Sequence, residues 1–183
     1  MRVLWVCNIM LPVIAEALHR EASNKEGWLS GLLSQIVDRE DTDMTLAVAF
    51  PVPAGEEIPQ SFVVRVQGEH PACVAEATSA TEAASAPEGG GGYLVRCYGF
   101  YEDTVHRYQP ELEEELRKIT EDYDPDVIHC FGTEYPHTLA VCRAYPHPER
   151  ILLGIQGICS LCAEAYFADL PERVTRKVTF RDL

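Results

Sequence analysis

Apolar and polar positions alternate along this chain in two periods, and the period changes mark its elements. The segment Arg2 to Cys7 is apolar from Val3 onward, as expected of a strand buried on both faces of a parallel sheet. Asn8 to Pro12 breaks the run. Ser23, Asn24, Lys25 and Glu26 form a capping box, and behind it Leu29, Leu32, Leu33, Ile36 and Val37 recur on one helical stripe. Met44 to Phe50 predicts a second strand, ended by Pro51 and Pro53, and Phe62 to Val66 a third. Tyr93 to Tyr98 reads as a strand. Pro110 then opens a helix whose first turn is acidic and whose buried stripe is Leu112, Leu116, Ile119 and Tyr123. Glu113 with Arg117 and Glu114 with Lys118 have the i,i+4 spacing of helix ion pairs, and Asp124-Pro125 stops the helix. Asp126 to Cys130 is a strand ending at Phe131-Gly132. Thr133 is placed to cap a helix running to about Tyr145, Ile151 to Gln156 is a strand, and a further helix is expected from about Ser160 to Phe167. Strand, loop and helix repeat in an order that right-handed crossovers turn into a Rossmann-like open parallel sheet with helices on both faces.

The stretch from 72 to 92 departs from this pattern. It holds seven Ala, three Glu, four consecutive Gly and no Lys or Arg, and reads as a long loop or partly disordered insertion. Its glycines lack the feeding strand, the following helix and the Lys-Ser/Thr pair of a phosphate loop. Charge narrows the function classes: 15 Lys and Arg against 29 Asp and Glu give a net −14. A surface that acidic disfavours nucleic acid, whose binding rests on Lys and Arg contacts to phosphate. Apolar runs fall short of the ~18 to 20 residues that span a bilayer. The N-terminus has no small-residue cleavage site of a signal peptide, and seven cysteines read as reduced, buried thiols. The expected location is cytoplasmic.

In an open parallel sheet, ligands bind outside the carboxyl ends of the strands. Three loops leave such ends. Cys7 to Pro12 leads towards Asn24-Lys-Glu-Gly-Trp28; Phe131-Gly-Thr-Glu-Tyr-Pro-His137 follows the Asp126 strand; Gln156-Gly-Ile-Cys-Ser160 follows the Ile151 strand. Each pairs glycine with hydrogen-bonding side chains, a combination suited to polar ligands. G-x-G-x-x-G is absent.

Val3-Leu-Trp-Val-Cys-Asn-Ile-Met-Leu-Pro12 with Asn24-Lys-Glu-Gly-Trp-Leu-Ser-Gly31 resembles the N-terminal domain of glycosyltransferase family 4, in particular bacterial capsular and exopolysaccharide enzymes. Asp126-Val-Ile-His-Cys-Phe-Gly-Thr-Glu-Tyr-Pro-His137, Ile155-Gln-Gly157 and the closing Thr179-Phe-Arg-Asp-Leu183 fit the same pattern. The likeness spans most of the chain except the Ala/Gly insertion. It implies the GT-B architecture, in which an N-terminal half holds a glycan or lipid-linked acceptor and a C-terminal half the nucleotide-sugar donor. Transfer in that family retains anomeric configuration and uses no catalytic metal, and peripheral contact with the inner face of the membrane is compatible with it. The family's chain continues beyond the point matched by Leu183, and its paired-glutamate donor motif has no counterpart here. On this resemblance residues 1–183 are an incomplete acceptor-side domain without the donor domain, inactive alone. Where many family members carry His-Gly, this chain has Gln156-Gly157; Gln bonds hydroxyls through both carbonyl and amide but is no general base near neutral pH.

The candidate substrate-binding residues are Asn8, Glu26, Gly27, Trp28, Glu134, His137, Gln156 and Gly157. Glu26 is also explained by the capping box, Gly27 by helix packing, and Trp28 by core packing instead of acceptor stacking. Glu134 and His137, at i and i+3 of an expected first helical turn, would share one face. As a pair they fall short of the three or four protein ligands that zinc takes. His129, inside an apolar strand, reads as a core histidine. Two other functions compete: a self-contained α/β module binding a small polar ligand without catalysis, and a thiol oxidoreductase using Cys159 and Cys162. The C-x-x-C spacing supports the latter, but too few residues follow for a thioredoxin fold.

Overall fold

The computed structural model describes residues 1–22, 27–39, 43–53, 55–66, 78–79, 92–103 and 106–155, together with Leu161 and Pro171. Within them one sheet comprises β1 (Arg2–Val6), β2 (Thr45–Pro53), β3 (Ser61–Val66), β4 (Thr78–Ser79), β5 (Tyr93–Glu102), β6 (Val127–Phe131) and β7 (Ile151–Gly154). Their spatial order is β4-β3-β5-β2-β1-β6-β7. The pairs β1–β2, β2–β5, β1–β6 and β6–β7 are parallel, whereas β3 runs antiparallel to β5 and β4 antiparallel to β3. The protein is thus an α/β open sheet, mostly parallel, with an antiparallel edge.

Helices cover both faces. On one, Val3, Trp5, Val48, Phe50 and Phe131 pack against α1 (Pro12–Ala17) and α2 (Gly27–Val37) through Ile14, Ala17, Leu29 and Leu33. On the other, Leu4, Val6, Ala49, Phe100 and Ile128 meet α3 (Glu111–Tyr123) and α4 (Pro136–Ala144) through Leu112, Leu116, Ile119 and Val141. Alternate side chains of β1 therefore enter two different cores, which is why its sequence is apolar at every position from Val3 onward instead of every second one. Asp126 anchors the start of the strand: its carboxylate accepts the Arg2 N–H at 2.7 Å, and its own N–H donates to the Arg2 carbonyl at 2.9 Å. Asp124, in the left-handed region at φ 51°, ends α3.

Several elements differ from the sequence expectation. β2 runs through Pro51 and Pro53 to pair with Phe100 and Glu102 of β5. The Thr45 N–H donates to Met1 and the Ala49 carbonyl accepts from Cys7, so the odd-numbered residues of β2 point their backbone groups towards β1. β1 ends at Val6, opposite Ala49. The missing N–H groups of both prolines therefore face a side with no partner strand, and no ladder bond is lost. The segment after Asn8 is not merely a break: Pro12 at its first position starts α1. Leu32 stands on the exposed side of α2. In α3, Arg117 bonds Glu114 and Glu121, while Glu113 is taken by Tyr108 and Arg143. α4 begins at Pro136 with Tyr135 as its N-cap, not at Thr133. From 72 to 92, Thr78–Ser79 adds a short strand, and the rest of the expected loop before Gly92 lies outside the described residues, as do the capping box at 23–26 and the helix expected from Ser160.

Leu116 has no exposed surface and packs between α3 and the sheet. Leu116→Ala should cost about 2 to 5 kcal/mol, the usual range for a truncated core leucine. It should appear as a lowered urea midpoint at unchanged m-value.

Candidate functional site

The strand order locates the crevice. From β1 the chain goes to β2 on one side, and β6 lies against β1 on the other, so the connections diverge between the carboxyl ends of β1 and β6. This is the switch point at which open α/β sheets take their ligands. Gly132, at φ +92°, turns the chain out of β6 in a conformation that residues with a Cβ rarely adopt. The turn is fixed on three sides. The Gly132 N–H donates to the Gly154 carbonyl at 2.9 Å, the Thr138 hydroxyl donates to the Gly132 carbonyl at 2.7 Å, and the Glu134 carboxylate accepts the Thr133 N–H at 2.7 Å. Across the crevice the Asn8 side-chain amide donates to the Tyr135 hydroxyl at 3.1 Å, joining the loop after β1 to the loop after β6.

Behind Tyr135 lies a buried acid. Glu102, at the end of β5, is 5% exposed, and each of its carboxylate oxygens accepts from one imidazole. His137 Nδ1 donates to Oε2 at 2.6 Å and His106 Nδ1 donates to Oε1 at 2.8 Å. Burial alone would raise the Glu102 pKa, but the hydrogen bonds and charge of His137 and His106 together outweigh it and hold the carboxyl below its ordinary value. An ionised carboxylate only accepts, so both facing ring nitrogens carry hydrogen. His137 has no exposed surface, lies against Phe100, and stacks on Tyr135 with centroids 5.4 Å apart and planes at 8°. Its Nε2 has no hydrogen-bond partner among the described residues. His106 meets Tyr135 edge-on at 5.5 Å. Its backbone is left-handed at φ 53°, a strained conformation for a non-glycine residue.

An aromatic group adjoins the crevice. Phe131 packs edge-on against Trp5 at 5.2 Å and Trp28 at 5.4 Å, and against His129 at 4.0 Å. His129 is half-buried, which lowers its imidazole pKa. Trp28 remains 49% exposed at the start of α2.

Of the residues singled out from sequence, Asn8 and Glu134 therefore belong to loops that meet at the crevice, His137 lies in the first turn of α4 behind Tyr135, and Trp28 reaches the crevice through Phe131. Glu134 and His137 do not share a helical face. Glu134 is exposed in the turn before α4, whereas His137 points inward to Glu102, because Pro136 shifts the helix start past Glu134. Gly27 has open space around it, so close packing is not what it serves. Glu26, Gln156, Gly157, Cys159 and Cys162 lie outside the described residues. Glu102, His106 and Tyr135 were not anticipated. The sequence carries one signal for Tyr135, its place in the polar run after β6, but none for a carboxylate 35 residues before its histidine. Among the described residues no group of three or more His, Cys, Asp or Glu could hold a metal ion, and no helix is long and apolar enough to cross a membrane. Cys7, Cys97 and Cys130 are buried and Cys142 is exposed. A separate cavity of about 580 Å³ lies beside β5, lined by Gln60, Tyr101, Glu115, Lys118 and Asp122 among others; none of the crevice groups lines it. Comparison of the chain with protein-family models, curated proteins and solved structures gives no match.

A carboxyl whose pKa is lowered by folding contributes stability above its unfolded value, near 4.3, and loses it as pH falls through the lower folded value. Glu102→Gln should therefore be clearly less stable than the parent chain at pH 7. The gap should narrow progressively below about pH 4, as read from urea midpoints across that range.

Proposed function

We propose that this chain is the acceptor-side domain of a retaining glycosyltransferase that uses a nucleotide-sugar donor. The observation that carries the reading is the Asn8–Tyr135 bridge across the β1/β6 switch point, with the Glu134 carboxylate in the same turn. Amide, phenol and carboxylate are groups that bond sugar hydroxyls as donors and acceptors, and half-exposed Trp28, packed against Phe131, offers an aromatic surface. The likeness of the loops after β1 and β6 to family 4 enzymes supports the same assignment.

In this reading the domain contributes orientation. It holds an acceptor hydroxyl in line with the donor's anomeric carbon, and the entropy removed by that positioning lowers the barrier. The departing diphosphate requires positive electrostatic stabilisation. Asn8, Tyr135 and Glu134 carry no positive charge and the chain is strongly acidic, so that task falls to the donor domain implied by the resemblance. The acceptor is a glycan or lipid-linked sugar met on the cytoplasmic side of a membrane.

The two-domain protein, given radiolabelled uridine- and guanosine-diphosphate sugars with glycan and lipid-linked acceptors, should yield labelled product of retained configuration. Asn8→Ala should raise the acceptor KM roughly three- to tenfold, the usual worth of one neutral hydrogen bond, with the melting temperature little changed. Calorimetry of residues 1–183 alone should show no donor binding. Failure of transfer with every donor, or tight donor binding by this chain alone, would defeat the assignment, and sugar binding without transfer would favour a non-catalytic binding module.

A further inference from the structure

Tyr135 is restrained by imidazole contacts on two sides. One ring face lies parallel to His137 and a second imidazole, His106, abuts it edge-on. Both imidazoles are fixed by the two oxygens of one buried carboxylate, Glu102. Two segments distant in sequence, the stretch from Glu102 at the end of β5 to His106 and the start of α4, thus converge to restrain a single phenol. The strained backbone of His106 is maintained within this arrangement: its N–H donates to the Asp103 carbonyl at 2.9 Å, and its ring is held by Glu102 and Tyr135.

The hydroxyl at the end of the ring has a defined polarity. It accepts from the Asn8 amide, so its lone pairs are in use on that side, and among the described residues no acceptor takes its proton. A part-buried phenol whose oxygen is engaged as acceptor and whose O–H remains available is a directed donor. The group that meets it, the Asn8 amide, is neutral and bonds hydroxyls as donor and acceptor, which suits a neutral, hydroxylated ligand.

The geometry points to Tyr135 as a ligand-contacting residue of the crevice, donating its hydroxyl proton to an oxygen of a neutral sugar ring, with Glu102 and His106 as positioning residues that act through it. This rests on the acceptor-side reading above and adds the contact and the class of group it recognises. The restraint matters because a hydrogen bond from a pre-oriented side chain binds without the entropy cost of ordering it.

Binding is followed by NMR of the 183-residue chain titrated with methyl glucoside, methyl galactoside and methyl N-acetylglucosaminide. At least one should shift the Asn8 side-chain amide and the Tyr135 ring resonances. Tyr135→Phe, which keeps the ring and removes only the hydroxyl, should weaken that glycoside roughly three- to tenfold. Glu102→Gln should weaken it in the parent chain but add nothing when combined with Tyr135→Phe, the non-additivity expected of residues that act through one contact. Should Glu102→Gln fail to fold, His106→Asn replaces it in the same cycle. Absence of shifts with all three glycosides, unchanged affinity in Tyr135→Phe, or fully additive effects would each overturn the inference. Glycoside binding that depends on Tyr135, in a protein that transfers no sugar, would keep the inference and overturn the transferase reading. Transfer with an acceptor KM unaffected by Tyr135→Phe would overturn the inference alone.

Discussion

β1 is hydrogen-bonded on both sides by parallel strands and buried on both faces, and the geometry of the crevice follows from that double confinement. Val6 stands opposite Ala49 on β2 and opposite Cys130 on β6. Parallel pairing in this register brings the ends of β1 and β6 to the same level, so the loops they feed emerge side by side. Asn8 and Tyr135 are 127 residues apart in sequence, yet they need only short excursions from adjacent strand ends to meet. A slip of one residue in either pairing would turn Trp5 and Phe131 out of one core and Leu4 and Ile128 out of the other. Two cores thus hold the register that the polar rim requires.

The buried Glu102 plays a second, more local part. A carboxylate taken out of water is costly, and even a well-made buried ion pair often adds little net stability over apolar packing. What it supplies here is definition. An apolar residue at the end of β5 could fill the same space, but it would not fix the rotation of two imidazole rings at once. The bond from each carboxylate oxygen sets one ring, and the rings in turn set Tyr135.

The parts of this organisation that depend on local pattern are legible in the sequence. The both-faces-buried run of β1, the acidic start and apolar stripe of α3, and the β6 strand ending at Phe131-Gly132 are each written in a few adjacent residues. The parts that were not legible depend on neighbours. Pro51 and Pro53 read as strand terminators because sequence does not show which edge of β2 they face. The antiparallel sense of β3 is set by its partner β5 and not by its own alternation. In the site, Asn8, Glu134 and His137 stand out because they follow strand ends. The inward turn of His137, however, follows from a helix start set by Pro136 and from an acid on another strand. Residues near strand ends can be found by pattern; which of them face one another is decided by topology.

The two prolines of β2 have an effect beyond their own strand. β2 projects past the end of β1, leaving its flank on that side without a partner strand. In an ordinary strand such a flank would offer a ladder of donors and acceptors on which any extended segment could lay itself down. Here the positions that face it are Pro51 and Pro53, which can accept but cannot donate. An incoming strand would find only half of each backbone pair.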